Sequence, residues 1–171
     1  MTLINGLPAH VLFVHVVVVL IPLTALALVT AALWPRAARR LGMVLPLVAL
    51  VALVSVPLTT HAGEWLERHV DSDPLVRRHT ELGDGLLPWA LGLFVLAAVV
   101  WWAGRRTEAE PRQGGGALRW SALPVRIVLG VLSLAVAVGA VVDVYRIGDS
   151  GAKAAWHDAY SKTATKSADG S

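Results

Sequence analysis

From Met1 to Pro35 the chain carries no Asp, Glu, Lys or Arg. Within that stretch, residues 8–34 form an almost unbroken apolar run holding two histidines, His10 and His15. As a helix rising about 1.5 Å per residue, the run spans about 40 Å, against a hydrocarbon core of about 30 Å. It has no polar stripe to turn toward water, so a surface helix of a soluble domain is excluded. A membrane span is what remains.

Three more blocks follow the same rule, and the expected spans are about 8–34, 41–60, 84–103 and 122–145. The expectation is all-α: an integral membrane four-helix bundle comprising residues 1–160, with 161–171 a small, polar, disordered tail. Pro22 and Pro57 fall inside apolar runs and are expected to kink helices rather than end them. No positive residue precedes Arg36, so the first run does not read as a cleavable signal, and no lipidation motif is present.

Charge sets the expected orientation. Arg36, Arg39 and Arg40 follow the first span, and Arg105, Arg106, Arg112 and Arg119 follow the third. Clustered arginines in short connections stay on the cytoplasmic side, which puts both termini on the extracytoplasmic side of the cell membrane. Trp34, Trp101, Trp102 and Trp120 fall on the arginine side, and Trp65, Trp89 and Trp156 on the other. The net charge of +3 is spread over these flanks, so it reports lipid headgroups and topology rather than nucleic acid. The chain has no cysteine, which excludes disulfides, thiolate metal sites and thioether-linked haem.

On this topology His10, His15, His61, His69, His79 and His157 all lie at or above the outer face. His15 is the deepest, about 7 Å further along the helix than His10. An ionisable residue inside a span is a functional candidate.

A faint internal repeat accompanies them. His61–His69 can be laid over residues 149–157, each with Gly six positions before His (Gly63 and Gly151). His10-x4-His15 can be laid over His79-x4-Asp84. Two helix pairs related by a pseudo-twofold along the membrane normal would follow.

His10-x4-His15, His79-Thr80-Glu81-Leu82-Gly83 before the third span, and Gly151-x5-His157 after the fourth together resemble the bacterial membrane family catalogued as domain of unknown function 2231. The resemblance implies a four-helix integral membrane protein, and some members are fused to Rieske-type iron–sulfur domains, which implies redox work. It carries over His10, His15, His79, Gly151 and His157. Val11 and Val16 depart from the family's usual Pro and Phe, and Ser150 and Trp156 from its C-terminal pattern. No Rieske domain accompanies these residues, so a redox partner protein would be separate.

Three chemistries stay open. The first is haem b held by histidines from facing helices, with His15 and His79 as the preferred pair and His10 and His61 as alternatives. His10 and His15 are about 140° apart around the helix, so both cannot face one metal. Arg77 and Arg78 could meet the propionates. The second is another transition metal on His15, His79, His61 and Glu64, with Glu81 and Asp84 nearby. The third is a scaffold or partner subunit with no cofactor, its histidines hydrogen-bonding at headgroup level or sensing pH.

No catalytic residue is assigned. H-E-x-x-H, a phosphate-binding glycine loop and a nucleophile elbow are all missing, so the chain reads as a subunit rather than an enzyme by itself. Asp143 is expected to pair with Arg146 or with a histidine's second nitrogen. Gly130, Ser133, Ala135, Ala137, Gly139 and Ala140 mark the fourth helix for close contacts, including a homo-oligomer in the bilayer.

Overall fold

The computed structural model describes residues 3–4, 7–69, 73–109 and 123–156; of residues 3–4, 7–8 and 107–109 only the backbone is described. Among the described residues six helices are present: α1 (Ala9–Leu33), α2 (Pro35–Leu41), α3 (Val44–Glu67), α4 (Pro74–Asp84), α5 (Leu86–Ala109) and α6 (Leu123–Trp156). Leu3–Ile4 and Leu7–Pro8 pair antiparallel ahead of α1. Four of the described segments are long and apolar enough to cross a membrane: α1, α3, α4 with α5, and α6. His157 and residues 161–171 lie outside the described residues.

Local chemistry sets the breaks. Trp34 is extended (φ −117°, ψ 106°) ahead of Pro35, as a residue before proline prefers, so α1 stops and α2 starts on its proline. Arg39 and Arg40 occupy the last turn of α2, where cations favour the helix dipole. Gly42 closes α2 at φ 48°, a conformation that penalises any Cβ. At the other face Asp73 caps α4 by accepting from the Leu75 amide at 2.7 Å, and Pro74 fills the first helical position. Pro88 has no N–H for the Asp84 carbonyl and its ring crowds that oxygen. The break between α4 and α5 at Gly85 follows. Pro22 and Pro57, by contrast, sit inside continuous helices.

Two helices run past the apolar limits read from the sequence. α3 continues beyond Thr60 to Glu67, and α6 continues beyond Tyr145 to Trp156. Hydropathy ends where the bilayer does, whereas helix formation continues wherever the backbone and side chains allow it. α6 is therefore about 50 Å long and stands clear of a hydrocarbon core of about 30 Å.

The spans form a ring in the order α1, α3, α5, α6, each packed on its two neighbours, with α4 laid chiefly against α6. The centre is built from Ile21, Leu28, Leu93 and Val56 set among Ala25, Ala49, Ala52, Ala97, Ala137 and Ala140. Alanine at contact positions lets helix backbones approach where lipid offers no hydrophobic drive for association. Val19, Leu26, Val131 and many other large apolar residues face outward, which suits a bilayer and would be costly in water.

Burial follows the repeat. Val17, Ile21, Thr24, Leu28 and Ala31 of α1 are buried, and so are Leu86, Ala90, Leu93, Ala97 and Val100 of α5, each 69 positions further on. Leu45, Ala49, Ala52 and Val56 of α3 correspond to Ser133, Ala137, Ala140 and Val144 of α6 at a shift of 88. These are the two registers that the histidine and glycine spacings give. The bundle is two helix pairs of one design.

Apart from Ala135, which is exposed, the small residues of α6 are used inside this bundle. Gly130, Ser133, Ala137 and Ala140 are buried, and the Trp89 ring lies where a Cβ of Gly139 would be.

Candidate functional site at the histidine face

One end of the ring opens into a cavity of about 800 Å³ between α1, α3, α4 and α6. Its walls keep the repeat. α3 contributes Val56, Thr59, Thr60, Gly63, Glu64, Leu66 and Glu67, and α6 contributes the residue 88 positions on from each of these. Chemistry breaks the symmetry: where α3 carries Thr60, Glu64 and Glu67, α6 carries Gly148, Ala152 and Ala155.

His10 and His79 enter this cavity from its two halves, and both are half-buried. His10, in the first turn of α1, donates from Nδ1 to the Thr59 carbonyl at 3.0 Å. His79, on α4, donates from Nδ1 to the Ile147 carbonyl at 3.1 Å and to Ser150 Oγ at 3.0 Å. Ser150 Oγ itself donates to the Ile147 carbonyl at 2.8 Å. A carbonyl only accepts, so the proton of each neutral ring is on Nδ1 and the lone pair on Nε2. That is the arrangement of a metal-binding imidazole with a backbone partner.

Each ring rests on a glycine of the opposite helix. A Cβ on Gly63 would come within 3.0 Å of His10 Cε1, and one on Gly151 within 3.0 Å of His79 Cε1. The two rings meet edge to face, with centroids 6.1 Å apart and planes at 83°.

The other histidines are used locally. His15 lines the cavity but is exposed, and its Nδ1 bonds the Val11 carbonyl of its own helix at 2.6 Å. His61 is exposed, outside the lining, and bonds the Pro57 carbonyl at 2.8 Å. His69 bonds the Trp65 carbonyl at 2.7 Å and stacks on the Trp65 ring at 3.9 Å. The structure brings His10, not His15, against His79. Distance along the helix ranks His15 first, but the side chain that reaches across is the one facing a glycine.

Glu64 lines the cavity and sits 3.6 Å from Arg68. Its expected companion His61 turns back onto α3, so the His61–Glu64 pair is not assembled at the cavity. Glu67, Asp73, Glu81 and Asp84 also line the cavity. Even so, among the described residues no three His, Asp or Glu side chains gather closely enough to hold a metal ion. Arg77 and Arg78, expected beside a propionate, are exposed and outside the lining. Asp143 makes no hydrogen bond to a histidine and no close ion pair with Arg146, although the Arg146 charge acts on its carboxyl group. Its Oδ2 is buried without a partner, 3.7 Å from where a Cβ of Gly85 would be.

Four apolar crossings arranged as two related pairs define a multi-pass integral membrane four-helix bundle. A family model described as a predicted membrane protein, DUF2231, matches residues 6–164, and the chain belongs to that family. Neither a curated protein nor a solved structure matches the chain.

Proposed function

We propose that this chain is an electron-transfer subunit of the cell membrane whose His10 and His79 hold one b-type haem. The observation that carries the reading is the cross-bundle pair itself, two tautomer-fixed imidazoles on a pseudo-twofold cavity. His10 and His79 would supply the two protein ligands through Nε2, the nitrogen left over by the Nδ1 bonds to the Thr59 and Ile147 carbonyls. A pair of histidines, with no third His, Asp or Glu gathered beside it among the described residues, suits a metal that brings its other donors with it, as haem does. The volume of about 800 Å³ falls in the range of cofactor pockets, and Val14, Val17, Val56, Leu86 and Val144 make its deeper walls apolar.

Glu64, Glu67, Asp73, Glu81 and Asp84 also line the cavity, so the propionates of a bound haem would need access to water, where like charges are screened over about 8 Å at physiological salt. When bound, haem supplies one-electron transfer. The chain's own part is to hold the two Nε2 atoms in register, through Thr59, Ile147 and Ser150 on one side of each ring and Gly63 and Gly151 behind. The arginine clusters favour placing this face outside the cytoplasm.

The test is an absorption spectrum of the protein purified in mild detergent from its native membrane. A Soret band that shifts on dithionite reduction is expected. His10→Ala and His79→Ala should each abolish it, while His15→Ala and His61→Ala retain it. A colourless, metal-free wild-type protein would refute the cofactor and leave a scaffold or partner subunit.

A further inference from the structure

We propose that the groove between α1 and α6 at the arginine face binds one anionic phospholipid, independently of any cofactor at the other face. The groove has a volume of about 320 Å³, and Leu33, Ile127, Gly130, Val131 and Leu134 line it with Arg126 at its rim. Gly130 opens it: the nearest side-chain atom to its missing Cβ is Leu33 Cδ2, at 3.3 Å. Leu33, Ile127, Val131 and Leu134 are all exposed on the lipid-facing side of the bundle, so an acyl chain meets apolar walls there.

Charge selects the headgroup. Arg126 is exposed, and among the described residues no carboxylate pairs with it. Among the residues whose side chains are described, the carboxylates Glu64, Glu67, Asp73, Glu81, Asp84, Asp143 and Asp149 all sit toward the histidine face. Arg105 and Arg106 lie over the rings of Trp101 and Trp102, at 5.3 and 4.1 Å. Arg126 instead borders an apolar groove, in the first turn of α6, where the helix dipole also favours an anion. A guanidinium suits a phosphodiester, and a basic site between helices at a membrane face recognises anionic headgroups. A zwitterionic lipid offsets its own phosphate and gains less.

Native mass spectrometry of the full chain in mild detergent, with phosphatidylglycerol and phosphatidylcholine supplied equally, tests this. One phosphatidylglycerol should be retained in preference to phosphatidylcholine. Arg126→Gln should weaken that retention about fivefold, in line with about 1 kcal/mol for one basic side chain at a charged surface. Arg36→Gln, on the same face but outside the groove, should leave it unchanged. Equal retention of the two lipids, an equal loss in both variants, or no loss in Arg126→Gln would each overturn the proposal. So would displacement of the lipid by millimolar inorganic phosphate, which would make the site one for a free anion.

Discussion

His10 and His79 cross the bundle because the facing helix gives up a side chain to each. A methyl group at position 63 or 151 would stand 3.0 Å from an imidazole carbon, so the ring must give by a few tenths of an ångström. Gly63→Ala and Gly151→Ala should each destabilise the protein by about 1–3 kcal/mol, the usual cost of overfilling a packed site. Each should also weaken any ligand held on Nε2. Gly148→Ala is the control, since nothing lies within 4 Å of its missing Cβ. It should be neutral or stabilising by up to about 1 kcal/mol, because alanine favours helix over glycine. Thermal unfolding in detergent separates the three, and equal shifts in all of them would remove the steric account. Depth along α1 favours His15, yet the sequence does carry the signal for His10. Gly63 and Gly151 stand in the same place in the repeat, and each faces the histidine that the repeat pairs. What the sequence lacks is rotation: nothing in a linear reading shows that His15 closes onto the Val11 carbonyl of its own turn.

At the scale of elements, the uninterrupted apolar runs reveal the spans and the prolines reveal most of their ends. Trp34-Pro35 and Asp73-Pro74 act as the backbone rules require. The outward extensions of α3 and α6 leave no mark in hydropathy, although they build the walls of the cavity. α4 is a different case, a short helix of amphipathic pattern held at its start by one cap. Asp73→Ala removes the acceptor of the Leu75 amide and should cost about 1 kcal/mol, the ordinary worth of such a cap. The loss should be local. Hydrogen exchange of the α4 amides should speed up while the centre of α1 stays protected, and His79, carried by α4, should lose affinity for its ligand. Unchanged exchange across Pro74–Asp84 would show that packing on α6 alone orders α4. The contact of Trp89 with Gly139 is a second, independent lock, between α5 and α6. Gly139→Ala places a methyl group inside the space of the indole ring, and the expected loss is again about 1–3 kcal/mol, read by thermal unfolding.

For the whole molecule, the repeat explains why one end differs so much from the other. Two related helix pairs face one cavity, the first bringing His10 against Gly63 and the second His79 against Gly151 at the same end. Their opposite ends carry Arg36, Arg39 and Arg40 after α1, and Arg105 and Arg106 on α5. Arginine in short connections is retained in the cytoplasm, so the polarity of charge and the polarity of chemistry point the same way. The absence of native cysteine makes this directly measurable. Lys153→Cys, on the exposed end of α6 past Gly151, should react with a membrane-impermeant maleimide in intact cells. Arg36→Cys, at the start of α2, should react only after the membrane is opened. Lys153 is tied to Asp149 at 2.7 Å in an exposed pair, so its loss costs little, about 0.2–1 kcal/mol. The reverse labelling pattern would turn the cavity toward the cytoplasm. Any electron partner would then have to be a cytoplasmic one, because the two faces lie about 30 Å apart across the hydrocarbon core.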